Sequence, residues 1–150
     1  MDHNMFCFQC EQTAGCTGCT SRGVCGKDAQ TAQAQDRLTG ALIGLARAAD
    51  TSPDAGPETW QLMIEGLFAT LTNVNFDPDS LNALAGRVRA EKQRLVPDCA
   101  VCTAPCGRTG DYDLAQLWGA QEDIRSLKSL LLFGSRGMAA YAYHAMVLGY

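Results

Sequence analysis

From Asp28 to Leu148 apolar residues recur at steps of three and four, and nowhere do they alternate with polar ones over the length of a strand. A period near 3.6 places such residues along one helix face, whereas a half-buried strand needs a period of two. The chain is therefore expected to be all-α, a helical bundle, and a Rossmann-type sheet is excluded. Leu38, Ala41, Leu42, Leu45 and Ala49 form the face of a first helix, about 28–49. Pro53 and Gly56 break that pattern, and Pro57 suits the first turn of a second helix carrying Trp60, Met63, Ile64, Leu67, Phe68 and Leu71. Asp77-Pro78 reads as a cap and a first-turn proline, ahead of a third helix lined by Leu81, Leu84, Ala85, Val88 and Leu95. A short helix is expected near 113–118.

The longest helix, about 121–148, opens on Glu122 and Asp123, which favour its positive end. Its second half is apolar nearly all round, so it is expected to be covered on every side, with Gly134 and Gly137 admitting a second backbone. The abrupt apolar end at Leu148-Gly149-Tyr150 is read as missing sequence or a partner surface, which includes a homo-oligomer through this helix. Trp60 and Trp118 are expected in the core, and His144 as a structural histidine on a helix face.

Residues 1–26 follow no period and are rich in Cys, Gly and Thr, so their order must come from something other than a hydrophobic core. Bound metal can supply it, because ligand bonds contribute directly to folding. Cys7, Cys10, Cys19 and Cys25 are spaced C-x2-C-x8-C-x5-C. Two thiolates can reach one metal centre from the first tight turn, and two more within about twenty residues close the remaining corners at small loop-closure cost. Gly15, Gly18, Gly23 and Gly26 supply backbone freedom for wrapping an inorganic core. Iron–sulfur is the favoured reading. A structural zinc site, a disulfide pair and plain buried thiols remain alternatives, since irregular four-cysteine spacings serve several metals. Lys27 and Arg22 flank the loop, and offsetting its negative charge or lying solvated on the surface are open to both.

Cys16 is left over among the four and is read as a bystander. A second group, Cys99, Cys102 and Cys106, could hold zinc or another cluster, or form a redox pair. Three ligands make a poor closed site, so packed thiols that add no metal are expected there.

The 150 residues suit one ordinary domain, with 1–26 as the loop and 27–150 as the bundle. The net charge of −4, without a basic stripe, argues against nucleic acid as a partner. The apolar stretch 130–148 is interrupted by Gly134, Ser135, Arg136, Gly137 and His144, so no membrane span is expected. Eight cysteines without a secretory leader point to a reducing, cytoplasmic setting. The two histidines, His3 and His144, lie at opposite ends of the chain, and neither a Ser/His/Asp set nor a Walker loop is visible.

The run from Met5 to Ala14, MFCFQCEQTA, followed by Gly18-Cys19-Thr20 and Gly23-Val24-Cys25-Gly26-Lys27, resembles the opening of the hybrid-cluster proteins. These are also called prismane proteins or hydroxylamine reductases. Gly66–Asn73, Glu122–Lys128 and Gly137–Ala145 agree with the same family, and Met1–Asn4 look like a short extension of its usual start. The resemblance implies a [4Fe–4S] cluster on Cys7, Cys10, Cys19 and Cys25, and an N-terminal domain of helical bundles. It implies reduction of hydroxylamine to ammonia, with nitric oxide also proposed, at a hybrid Fe–S–O cluster on later α/β domains that have no counterpart in these 150 residues. The chain is then expected to be an electron-entry domain with no catalytic residue of its own and no activity alone. Its partners would be a redox donor protein and the missing catalytic domains. The alternative is a non-enzymatic interaction or sensor module stabilised by zinc or a cluster.

Overall fold

The computed structural model describes residues 5–10, 13–97 and 110–150. Five helices carry the fold: α1 (Ala29–Thr51), α2 (Pro57–Ala69), α3 (Pro78–Leu95), α4 (Leu114–Trp118) and α5 (Glu122–Val147). No strand occurs among the described residues, as the helical period requires.

Each start has a local cause. Asp28, in extended conformation, accepts the Thr31 amide at 2.8 Å and caps α1. Asp77 accepts the Asp79 amide at 3.0 Å ahead of Pro78, and Asp113 accepts the Ala115 amide at 2.9 Å ahead of α4. Pro57 opens α2, where the Thr59 hydroxyl accepts the Gly56 amide at 3.3 Å.

Helix α1 is the axis of the bundle. Thr31 lies against Phe76, Arg37 against Asn82 and Gly44 against Lys92, so α1 and α3 run parallel. Helix α2 returns between them: its Thr59 reaches Glu91 at 2.5 Å and its Glu65 reaches Arg87 at 2.8 Å, so α2 and α3 are antiparallel. The shared core holds Leu38, Leu42 and Leu45 of α1, Leu62 of α2, and Leu81 and Val88 of α3. Burying each leucine stabilises by about 1.5–3 kcal/mol relative to leaving it exposed. The faces read from the period of α1 and α3 are the faces buried.

The chain rejoins this bundle at Gly110. Asp111 pairs with Arg89 at 2.7 Å and Lys92 at 2.6 Å, and the Tyr112 amide donates to the Gly40 carbonyl at 3.0 Å. A side chain at Gly40 would meet the Tyr112 carbonyl oxygen at 2.3 Å, so glycine is what lets the segment approach α1. Helix α5 then lies on α2, with Phe68 stacked on Tyr143 at 4.4 Å between ring centroids.

The expectation for Trp60 is corrected. Trp60 is 46% exposed, because α2 turns Leu62, Gly66 and Ala69 inward and leaves Trp60 on the outer edge. Among the described residues α5 is covered on one side only: Arg136 and Ala139 are its buried residues, while Leu130, Leu131, Met138 and Tyr141 face outward. Among the described residues nothing approaches Gly134 or Gly137, where a Cβ would meet no atom within 4 Å. Trp118 is half-buried against Phe6 and Phe8, and His144 is exposed, edge-on to Phe68. No helix is long and apolar enough among the described residues to cross a membrane.

Candidate metal centre

The cysteine loop folds back on itself at Cys7 and Cys19. Their backbones pair antiparallel, Cys7 N–H donating to the Cys19 carbonyl at 3.0 Å and Cys19 N–H to the Cys7 carbonyl at 2.7 Å. Both side chains are buried, 7% and 4% exposed, in a small core with Met5 and with Ala32 of α1. The loop therefore has some apolar order of its own, more than its composition promises. Gly18, at φ +132°, is part of the reason: a side chain there would strike the Phe6 ring at 2.6 Å.

Cys10 and Cys25 are half-buried, Cys10 at the start of a turn closed by the Thr13 amide and Cys25 inside the Gly23–Lys27 turn. The turn after Gly23 is closed by its amide bonding the Lys27 carbonyl at 2.8 Å. The Ala14 amide points at the Cys19 Sγ, 3.4 Å away. Amide bonds of this kind to sulfur tune thiolate-held metals. Burial pushes the Cys7 thiol above the ordinary cysteine range, while the Gln9 amide and the Lys27 charge pull the other way.

All five described cysteines are free thiols, and Cys16 is exposed, in a left-handed turn at φ 59°. Cys99, Cys102 and Cys106 lie outside the described residues. Among the described residues no three His, Cys, Asp or Glu side chains converge closely enough to hold a single metal ion. What the loop offers is a sulfur-rich donor set with an amide aimed at one sulfur, chemistry that suits soft metals and iron–sulfur groups.

Beneath the loop is a polar network that the periodic reading passes over. Gln9, inside the Cys7-x2-Cys10 turn, donates through Nε2 to Asp36 of α1 and accepts through Oε1 from Arg136 Nη2 of α5 at 3.2 Å. Arg136 also donates to the Thr39 hydroxyl at 2.9 Å and the Thr70 hydroxyl at 3.0 Å. Those hydroxyls donate onward to the carbonyls of Gln35 and Leu67. Lys27 is buried, its ammonium donating to Gln35 Oε1, whose amide in turn bonds the Asn75 carbonyl at 2.9 Å. Of the two basic residues flanking the loop, Lys27 is turned inward and Arg22 is exposed. Burial raises the Asp36 carboxyl to about 6 against the opposing pull of Gln9, Lys27 and Arg136. Burial also lowers Arg136 to about 10, which leaves it charged at neutral pH. The available sequence signal was Arg136 itself, one cation in an otherwise apolar half-helix.

Comparison with known proteins agrees with the motif. Residues 5–150 match the Prismane/CO dehydrogenase family. A hydroxylamine reductase of Desulfitobacterium hafniense (strain Y51) is 40% identical over 167 residues, covering 98% of this chain and 30% of the relative. One from Clostridium perfringens (strain 13 / Type A) is 40% identical over 168 residues, covering 98% and 31%. One from Porphyromonas gingivalis (strain ATCC 33277) is 38% identical over 170 residues, covering 100% and 31%. The chain thus spans under a third of the length of these relatives. On motif, helical fold and a match over nearly its whole length, the chain belongs to the Prismane/CO dehydrogenase family.

Proposed function

We propose that this chain is the electron-entry portion of a hydroxylamine reductase, holding a [4Fe–4S] cluster on the thiolates of Cys7, Cys10, Cys19 and Cys25. The observation that carries the reading is the buried Cys7–Cys19 pair with an amide directed at the Cys19 sulfur, set over buried positive charge. When bound, such a cluster supplies a carrier for one electron at a time. The residues of the chain hold and shield it: Met5 and Ala32 exclude water from the inner pair of thiols, and Phe6, Phe8 and Trp118 cover the adjoining edge with ring centroids 5.0–5.7 Å apart. No described side chain is assigned to bond making.

Hydroxylamine reduction needs a second centre, which we place outside these 150 residues, in a reducing, cytoplasmic setting. A redox donor protein and the remainder of a longer reductase are the proposed partners. The outward face of α5, with Leu131, Met138 and Tyr141, is the surface offered to them or to a second copy.

Anaerobic preparation of the chain with iron, sulfide and zinc counted per molecule tests this. A brown protein with iron and sulfide in near-equal amounts, lost when all four cysteines are changed to serine, is the expected outcome. A colourless protein holding zinc alone points instead to an interaction module, because zinc has a filled d shell. Hydroxylamine turnover by the isolated chain would contradict an active centre elsewhere.

A further inference from the structure

Among the described residues, the charges buried under the cysteine loop do not cancel. Among the described residues the buried basic groups are Lys27, 3% exposed, and Arg136, 2% exposed, and no carboxylate is buried to the same degree. Asp36 is the acid that faces them, and it is only partly buried. Arg136 reaches it through the neutral amide of Gln9, and its other two bonds end on threonine hydroxyls. Lys27 ends on a glutamine oxygen. Among the described residues, two cations are therefore held in low dielectric with one anion, Asp36, between them. A buried charge without a counterion is strongly destabilising, so a site of this kind implies an anion that completes it. Geometry ties both cations to the loop: Arg136 donates to Gln9, between Cys7 and Cys10, and a Cβ at Gly23 would meet both Cys25 Sγ and Lys27 Cβ at 3.1 Å.

Gln9 makes the link directional. It sits between two proposed ligands and is gripped at both ends of its side chain, by α1 and by α5. The position of the Cys7–Cys10 turn is thereby tied to a helix 127 residues away in the chain.

Resting on the cluster assignment above, we propose that Lys27 and Arg136 are positioning residues that form a cationic floor under the cysteine loop and hold the reduction potential of the bound cluster up. Adding an electron adds negative charge, which buried positive charge stabilises, and Coulomb attraction is strong where water is absent. Arg136 acts through Gln9, and Lys27 acts from the end of the loop.

The test is a redox titration of the full chain after anaerobic reconstitution with iron and sulfide, read by visible absorption and electron paramagnetic resonance. At the poise that half-reduces the wild type, Arg136→Gln is expected to lower the ratio of reduced to oxidised protein about tenfold, equivalent to about 59 mV for a one-electron couple. Arg136→Lys should recover most of that ratio, which a purely structural role would not achieve. Lys27→Gln should move it in the same direction as Arg136→Gln, and it decides the matter if circular dichroism shows Arg136→Gln unfolded. Midpoints equal to the wild type in variants with full iron content overturn the proposal while leaving the cluster assignment intact. A wild-type chain that takes up no iron overturns the assignment first, and the proposal with it.

Discussion

Gln9 and Asp36 show how single side chains couple the loop to the helices. The Asp36 carboxyl binds its proton more tightly in the folded chain, at about 6, than at the ordinary 3.8, with burial as the main cause. Folded protein then holds more protons than unfolded protein between those values, so stability falls as pH rises through that window. In the metal-free chain, wild type should lose on the order of 2 kcal/mol relative to Asp36→Asn between pH 4.5 and 7, from about 1.4 kcal/mol per pH unit. Urea unfolding at the two pH values measures it, and an unchanged difference between the two proteins would count against a buried carboxylate. None of this was legible in the sequence. Asp36 occupies an ordinary polar position on α1, and its hydrogen-bond partner Gln9 lies 27 residues away.

Helices were more legible than side-chain partners. The expected spans near 28–49, 113–118 and 121–148 correspond to α1, α4 and α5, because caps such as Asp28 and Asp113 act on amides two or three residues away. Asp28→Ala should therefore cost about 1 kcal/mol of stability, read as a lower thermal midpoint. Gly40 behaves differently, being a mid-helix glycine whose purpose appears only when Tyr112 is placed against it. Gly40→Ala forces the Tyr112 carbonyl away and should destabilise by about 2 kcal/mol. Limited proteolysis should then cut near Asp111 first; unchanged cleavage would mean the segment is held by its ion pairs alone. Trp60 illustrates the limit of periodicity: spacing gives the relative angles of residues on α2, but not which of its sides meets a neighbour.

The whole molecule divides into a bundle with its own leucine core and a loop with a very small one. Removing the proposed cluster should act unequally on the two. After anaerobic iron chelation, hydrogen exchange at residues 5–27 is expected to accelerate at least tenfold, while amides of Leu38, Leu42, Leu81 and Val88 keep their protection. Equal loss of protection across α1 and α3 would show that the bundle depends on the metal as well.

By itself the sequence determined the helical class, the Asp77 cap, the apolar faces of α1 and α3, and the family through its cysteine motif, because each depends on residues within a few turns of one another. The pairing of Cys7 with Cys19, the inward turn of Lys27, and the grip of Asp36 and Arg136 on Gln9 were decided only by tertiary structure. Hydrogen bonds and charges across the bundle form between residues that proximity in the chain does not relate, and their strength comes from the exclusion of water that packing alone creates.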